Sequence, residues 1–473
     1  MALYDHLTRE IYEGPAGSKV GAFFDLDRTL LSGFSSLAFF RDRVLSGRMA
    51  PRHMLEAVFA AVNFGLGQIG FSGLVGATAG ILRGLSEASM EELGEQIFER
   101  QLAREIYPEA WRLVHAHRRM GHTPVIVSSA TRYQIEPLAN ELGIPHVLCT
   151  RLEVRDGVFT GKVVRPTCYG EGKAIAAHEL ALLHGIDLQR SYFYTDSDED
   201  LPLLEIVGNP RPTNPNRRLA TLAAQRGWPV KSFSSRGTPG IEAIARTGLA
   251  LGSIVPSVLL GLPAALLNVT RRQAVNFGMS TWGELGTALA GIDLRVEGED
   301  RLWSQRPAIF IFNHQSAIAL LLMCKLLRRD VVGIAPPRAR WNPFFGPWLT
   351  LAGTLFLDGF DAAEGNPTLG PALRALSQDL SVAIAPEGTR SPTPRLGPFY
   401  AGAFRLALAS GAPIVPIVFR NALDALPKHG RIVRPATIEV VVHPPISTEA
   451  WTSASLGSEI ERIHKLYVET LAS

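Results

Sequence analysis

The stretch Ala22-Phe23-Phe24-Asp25-Leu26-Asp27-Arg28-Thr29 decides the fold of the first half of the chain. An apolar run stops abruptly at two carboxylates. The same break recurs twice. Pro124-Val125-Ile126-Val127 runs into Ser128-Ser129, and Tyr192-Phe193-Tyr194 runs into Thr195-Asp196-Ser197-Asp198-Glu199-Asp200. Continuous apolar runs bounded by turns read as buried parallel strands. Helical patterns lie between them, at Tyr133–Leu142 and Lys173–His184. The alternation predicts an α/β domain on a Rossmann-like parallel sheet. In such a sheet the ligand site lies at the carboxyl ends of the strands, where all three polar clusters fall.

The residue types at that edge point to phosphoryl chemistry. Asp25, Asp27, Asp196 and Asp200 would repel one another if gathered there. A hard divalent cation relieves the repulsion, and Mg²⁺ suits oxygen ligands. A carboxylate beside such a cation attacks phosphorus and forms an aspartyl-phosphate. A second carboxylate two residues on protonates the leaving group and later activates water. Ser128 and Lys173 supply a hydrogen bond and a positive charge to the phosphoryl oxygens.

The ordered set DLDRTL, VIVSSAT, GEGKA and YTDSDEDLPLL resembles the haloacid dehalogenase-like hydrolases, and within them the phosphoserine phosphatase-like branch. The resemblance spans roughly residues 18–230. It implies Asp25 as nucleophile and Asp27 as acid/base. It also implies Ser128 and Lys173 on the phosphate, and Asp25, Asp27 (by its carbonyl), Asp196 and Asp200 at the Mg²⁺. It further implies a helical cap over about residues 45–105, closing on the site and selecting the substrate. The uncharged run Ala57 to Leu82 falls inside that cap. It reads as packed helices or as a face lying on a membrane. A cap so apolar suits a lipid-like phosphomonoester better than phosphoserine.

After residue 285 the strand-end pattern begins again. Ala308–Phe312 runs into Asn313-His314-Gln315-Ser316, and Ser381–Ala385 into Pro386-Glu387-Gly388-Thr389-Arg390-Ser391. A histidine at a strand end is placed to act as a general base. The second turn adds a carboxylate, a glycine for close approach and an arginine suited to phosphate.

NHQS, GTLFLDG, PEGTRS and IVPI together resemble the four motifs of the lysophosphatidic acid / glycerol-3-phosphate acyltransferases, over about residues 286–450. The resemblance implies His314 as the base that deprotonates a glycerol hydroxyl, with acyl-CoA or acyl carrier protein as the donor. It places Glu387, Gly388 and Arg390 on a lysophosphatidic acid-like acceptor. Two positions depart from the family. The aspartate five residues after the histidine is Ala319, and the basic residue after the second motif's aspartate is Gly359. Losing a carboxylate that orients a catalytic histidine lowers rate by about 10⁴ in the serine-protease case. Three readings stand: a slow enzyme, a lipid-binding module without catalysis, or a deliberate replacement of the aspartate. The last leaves Gly359 unexplained.

Composition agrees with a membrane-facing enzyme. Of 473 residues, 46% are hydrophobic and 19% charged, which excludes a disordered chain. The 44 Gly and 32 Pro exclude long coiled coils. A net charge of +3 gives no argument for nucleic acid. Three scattered cysteines suggest neither disulfides nor zinc, and fit a reducing compartment. The charged N-terminus has no signal-peptide pattern. The mean hydropathy of +0.12 implies either large cores or apolar surface meeting something besides water.

Much of that surface lies in the uncharged segment Thr247 to Thr270, interrupted by Pro256 and Pro263 and followed by Arg271-Arg272. It reads as a re-entrant or interfacial hairpin, or a span, with arginines suited to headgroups; the alternative is a buried core helix followed by a linker. The polar stretch 231–240 before it reads as a linker. The expected organisation is a phosphatase over 1–240, a membrane-associating connector over 241–285 and a membrane-associated α/β acyltransferase domain over 286–473. The expected location is the cytoplasmic face of the cell membrane, against a phospholipid surface.

Overall fold

The structure is a computed structural model. It describes residues 5–45, 55–56, 58–60, 62–63, 71–237, 239–266, 270–343, 345–357 and 369–472. The chain forms two compact units, Met1–Thr238 and Pro239–Ser473.

The first unit is built on a five-stranded parallel sheet. Its strands are β1 (Gly21–Phe24), β2 (Thr123–Thr131), β3 (His146–Thr150), β6 (Tyr192–Thr195) and β7 (Asn209–Pro212), in the order β3-β2-β1-β6-β7. β1 therefore lies between β2 and β6. Alternate side chains enter opposite cores. Phe24, Ile126, Tyr192 and Tyr194 join one. Phe23, Val125, Val127 and Phe193 join the other. Both faces are buried, which is why these strands read as unbroken apolar runs.

Helices Asp5–Tyr12 and Pro108–Arg119 cover the first face through Leu7, Ile11, Leu113 and Val114. Helices Glu171–His184, Leu201–Ile206 and Arg217–Arg226 cover the second through Ala177, Ala181, Leu203 and Leu219. A hairpin of β4 (Leu152–Arg155) and β5 (Val158–Val163) turns at Asp156-Gly157, both with positive φ. That Asp-Gly pair is a turn signal that the motif reading passed over.

Two expectations meet a different structure here. Ser128 does not follow its strand but lies within it, because β2 continues to Thr131. The linker-like stretch from 231 is fastened down. Phe233 is buried, and the amides of Ser234 and Ser235 both donate to Glu109 Oε1 at 3.1 Å. Polar residues read as a linker when their partners are more than a hundred positions away. The cap run Ala57 to Leu82 is described only in part; helices Phe71–Ile81 and Glu87–Ile97 belong to it and to the cap beyond.

The second unit carries a seven-stranded mixed sheet. Its strands are β8 (Ile292–Glu297), β9 (Ile309–Phe312), β10 (Val331–Ala335), β11 (Leu355–Phe356), β12 (Ser381–Ile384), β13 (Ile414–Phe419) and β14 (Ala436–Val442). The order is β11-β10-β12-β9-β13-β14-β8, antiparallel only between β13 and β14. β9 lies between β12 and β13, parallel to both, so the turns after β9 and β12 open side by side.

The described residues of 241–285, expected as a connector, fold as helices of this second unit. Helices Ile241–Gly252, Ile254–Leu266 and Arg271–Ala290 pack together, and the last packs on helix Ala319–Leu327. Gly283 permits the approach: a Cβ there would lie 2.4 Å from the Lys325 nitrogen. The apolar segment breaks at Ser253, between two helices. Pro256 falls in the first turn of the second, where a missing N–H is tolerated.

Candidate functional site

In the first unit, β1 ends at the fully buried Asp25, whose N–H donates to Tyr194 O at 2.9 Å. Lys173 reaches it from the first turn of helix Glu171–His184. That turn sits close to its neighbours: Gly170 has φ 54°, and a Cβ on Gly172 would lie 2.0 Å from Thr167 O. The GEGK pattern is therefore a backbone requirement as well as a source of charge. Lys173 Nζ donates to Asp25 Oδ1 at 2.7 Å and to Asp200 Oδ2 at 2.8 Å. Thr195 Oγ1 donates to the same Asp200 oxygen at 2.6 Å. Asp27 is held by Ser35, whose N–H donates to Oδ1 at 2.7 Å and whose hydroxyl faces Oδ2 at 3.3 Å. Arg28, at φ 60°, pairs its Nε with Asp196 Oδ2 at 3.3 Å. Ser128 is buried, and its Oγ accepts the Ala130 N–H at 3.2 Å.

Asp25, Lys173 and Asp200 are thus drawn together, with Asp196 and Asp27 at the same edge. The pocket holds more negative than positive charge. Burial pushes Asp25 up to about 8, against the pull of Lys173, and Asp200 and Asp196 push it further. Burial also pushes Asp196 up to about 6 and raises Asp27. Lys173 is held protonated, because two carboxylates outweigh its burial.

The donor set fits a hard divalent cation: buried carboxylate oxygens, short of positive charge. Among the described residues no three Asp, Glu, His or Cys side chains form a ready-made cage. The Asp25 carboxyl lies close enough to those of Asp196 and Asp200 to feel their charge. Asp200, expected on the metal, gives one oxygen to the protein: its Oδ2 accepts from Lys173 and Thr195. Ser35, Thr195 and Arg28 were missed by motif reading. Ser35, next to the first turn after DLDRTL, had the residue type of a helix start.

In the second unit, Asn313 fixes the end of β9. Its Nδ2 donates to Phe419 O at 2.8 Å, and its Oδ1 accepts the Phe419 N–H at 2.7 Å. His314 follows. Its N–H donates to Glu387 Oε1 at 2.6 Å, and its carbonyl accepts the Ser391 N–H at 2.9 Å. Glu387 Oε2 accepts the Ser391 hydroxyl and the Gly397 N–H, both at 2.9 Å. Glu387, expected in acceptor binding, is therefore an internal brace 3% exposed, with three donors of the protein on its carboxylate. Sequence could not reveal this, because two of the donors are backbone amides. Gly388 takes φ 66°, the left-handed region its type permits.

Arg390 is half-buried. It donates to Lys428 O at 3.1 Å and makes no ion pair among the described residues. Burial, and after it the charge of Arg390, push the His314 imidazole down to about 4. Among the described residues the His314 ring has no hydrogen-bond partner. Ala319 is buried in the first turn of helix Ala319–Leu327 and offers none. Gly359 and Asp358 lie outside the described residues. The IVPI motif is β13, buried throughout.

Comparisons with known proteins divide the chain in the same way. Residues 22–205 match the family model of haloacid dehalogenase-like hydrolases, and residues 293–420 match that of acyltransferases. A probable phosphatase of Mycobacterium tuberculosis is 34% identical over 258 residues, covering 51% of this chain and 90% of that one. A phosphoserine phosphatase of the same organism is 32% identical over 253 residues, covering 51% and 81%. A 1-acyl-sn-glycerol-3-phosphate acyltransferase of Cocos nucifera is 34% identical over 220 residues, covering 46% and 69%.

Proposed function

We propose a bifunctional enzyme, from the premise that the chain belongs to the haloacid dehalogenase-like hydrolases through its first half and to the acyltransferases through its second. The first unit hydrolyses a phosphomonoester. The second transfers an acyl group from acyl-CoA or acyl carrier protein to a 1-acylglycerol-3-phosphate, in phospholipid synthesis.

The observation that carries the phosphatase is Lys173, buried between Asp25 and Asp200. An Asp25 oxygen attacks phosphorus, and the bond to the leaving oxygen breaks. Asp27, aimed by Ser35, gives that oxygen a proton. Asp27 then takes a proton from water, whose oxygen attacks phosphorus and frees phosphate from Asp25. Lys173 and Ser128 hold the phosphoryl oxygens throughout. Asp25, Asp196, Asp200 and the Asp27 carbonyl would hold Mg²⁺, which when bound offsets the charge on the phosphate and the carboxylates. Hydrolysis of a soluble monoester that is abolished by chelation and by Asp25→Asn, and restored by Mg²⁺ in the first case only, tests this. Activity of Asp25→Asn equal to the parent would refute it.

Arg390, whose charge reaches His314, supports the acyltransferase: a guanidinium without an ion pair among the described residues suits the acceptor phosphate, and a neutral imidazole suits a base. The acceptor hydroxyl loses its proton to His314 and attacks the thioester; the thiolate leaves. A second reading, a lipid-binding module with impaired catalysis, is favoured by Ala319 and by the His314 ring, which has no hydrogen-bond partner among the described residues. Labelled acyl donor with lysophosphatidate distinguishes them. Bound acceptor without product would support the second.

The second unit meets a phospholipid surface, on the cytoplasmic side to which the three free cysteines are suited. Helical residues Ile241–Leu260 are long and apolar enough to cross a membrane, by length and composition. They expose Ile241, Ile244, Leu249, Val255, Leu259 and Leu260, and bury Thr247, Ala250 and Ser257. That polarity suits lipid rather than water. The arginines expected at headgroups are otherwise occupied in part: Arg272 donates to Val331 O at 2.7 Å.

A further inference from the structure

The helical residues at 55–63 in the first unit are arranged the wrong way round for a helix facing water. Leu55, Val58, Phe59 and Val62 are 69, 51, 71 and 53% exposed, whereas Ala60 is buried. Their spacing, i, i+3, i+4 and i+7, puts all four on one face. Asn63 Nδ2 donates to Phe59 O at 2.9 Å, which keeps the turn helical. An ordinary surface helix buries leucine and phenylalanine and leaves small or polar residues outside. Here the small residue is inside and the large apolar stripe is outside. Two more apolar side chains, Phe34 and Leu37, are 52 and 60% exposed. They flank Ser35, the residue that holds Asp27. Exposed apolar surface therefore begins at the lip of the phosphatase site.

Charge identifies what covers this surface. Between Phe40 and Leu55 the sequence carries Arg41, Arg43, Arg48 and Arg52 against Asp42 alone. A basic stretch next in sequence to an apolar helical stripe complements an anionic lipid surface. A second copy of the chain is a poor partner, because a two-fold contact would bring the same positive charge to both sides.

We propose that the cap of the first unit docks on an anionic bilayer surface through Leu55, Val58, Phe59 and Val62. Phe34 and Leu37 add exposed apolar surface next to Ser35, at the Asp25–Asp27 site. The first unit thus carries a lipid-facing surface of its own. The docking stands without any assumption about substrate. Its corollary, which rests on the phosphatase reading, is a substrate of the class of membrane-borne phosphomonoesters.

The test uses the full chain with Phe59→Cys carrying an environment-sensitive fluorophore. Labelling of the parent chain gives the background, since Cys168 and Cys324 are buried. Vesicles of phosphatidylglycerol and phosphatidylcholine are expected to shift the emission to the blue. Spin-labelled lipids are expected to quench it about twofold or more, at the depth of roughly 5–10 Å where such helices lie. Neutral vesicles, or about 1 M salt with its Debye length of ~3 Å, should weaken the response. The same label at the exposed Gln225→Cys should not respond. An unresponsive label at 59 on vesicle-bound protein would overturn the proposal. So would a blue shift that follows protein concentration without lipid, which would indicate a protein contact. Phosphatidate vesicles test the corollary separately. Phe59→Ser with Val62→Ser should lower their hydrolysis about tenfold while sparing a soluble aryl phosphate. If the parent does not hydrolyse phosphatidate, the substrate class fails and the fluorescence still decides the docking.

Discussion

Glu387 holds His314 by the backbone: its Oε1 accepts the His314 N–H at 2.6 Å, across the parallel strands β9 and β12. The other oxygen takes Ser391 and Gly397. This carboxylate positions the histidine turn and the PEGTRS turn against each other. Glu387→Gln forces an amide N–H₂ against protein donors. Hydrogen bonds to a charged group contribute about 1.5–3 kcal/mol each. The variant should lose acyl transfer and melt earlier, while hydrolysis by the first unit persists. Paired activity assays with thermal unfolding check this; retained acyl transfer in a destabilised chain would contradict it.

The pH dependence of acyl transfer follows from the His314 environment. Burial and Arg390 hold its imidazole near 4. A base must be neutral, so its acidic limb lies near pH 4 rather than near 6.5. Ala319→Asp would place a carboxylate in the family's position. An opposite charge favours the imidazolium, so the limb should move up in pH and the rate should rise. The gain should lie between about 10² and 10⁴ in kcat. A pH–rate profile of the two chains checks both signs. A gain in rate with no movement of the limb would show that the new carboxylate acts elsewhere.

A second histidine fixes an acid limit on the first unit. His122 Nε2 lies 2.7 Å from Pro15 O, His122 Nδ1 2.7 Å from His117 Nδ1, and His117 Nε2 2.9 Å from Tyr194 Oη. A carbonyl only accepts, so His122 donates from Nε2 and accepts at Nδ1. His117 therefore donates from Nδ1 and accepts the tyrosine proton at Nε2. Both rings are neutral, and burial holds the pKa of His117 well below its ordinary value. The unfolded chain then binds a proton that the folded one refuses. Stability is full above about pH 6.5 and falls with acidification below it, by about 1.4 kcal/mol per pH unit for such a histidine. Urea unfolding at pH 7.5 and 5.5 measures the loss. His117→Phe should be less stable at both and should lose this part of the slope.

The strand-end carboxylates and the βαβ order were legible because a doubly buried strand needs an unbroken apolar run and its chemistry must follow at one edge. Ala22–Phe24 and Asp25 illustrate both. The roles of Asp200 and Glu387 were not legible, because each is decided by which donors reach it. Lys173 and Thr195 lie at different distances along the chain from Asp200, and Glu387 is met partly by amides that every residue carries. The segment 231–237 misled for the same reason: its polar residues are satisfied by Glu109. The helical residues at 241–260 and the described ones between 55 and 63 misled less, since their excess of apolar residues is matched by real exposure.

Lys173 offers the sharpest separation of structure from catalysis in the first unit. Its ammonium is buried and bridges Asp25 and Asp200, 2.7 and 2.8 Å away. Lys173→Met removes the charge and keeps most of the volume. Asp25 and Asp200 are then left facing each other without a cation, and breaking a buried pair in this way costs roughly 3–5 kcal/mol. The variant should melt earlier and lose phosphate release, since one of the charges that hold the phosphoryl group is gone. Adding Asp200→Asn removes one of the two stranded carboxylates. It also leaves an amide that still accepts from Thr195. The double variant should therefore regain much of the lost stability and none of the lost activity. Acyl transfer by the same chain serves as the internal control for folding of the second unit. Thermal unfolding and phosphate release from the parent, single and double variants decide the matter. Recovery of hydrolysis in the double variant would mean that Lys173 serves the fold alone.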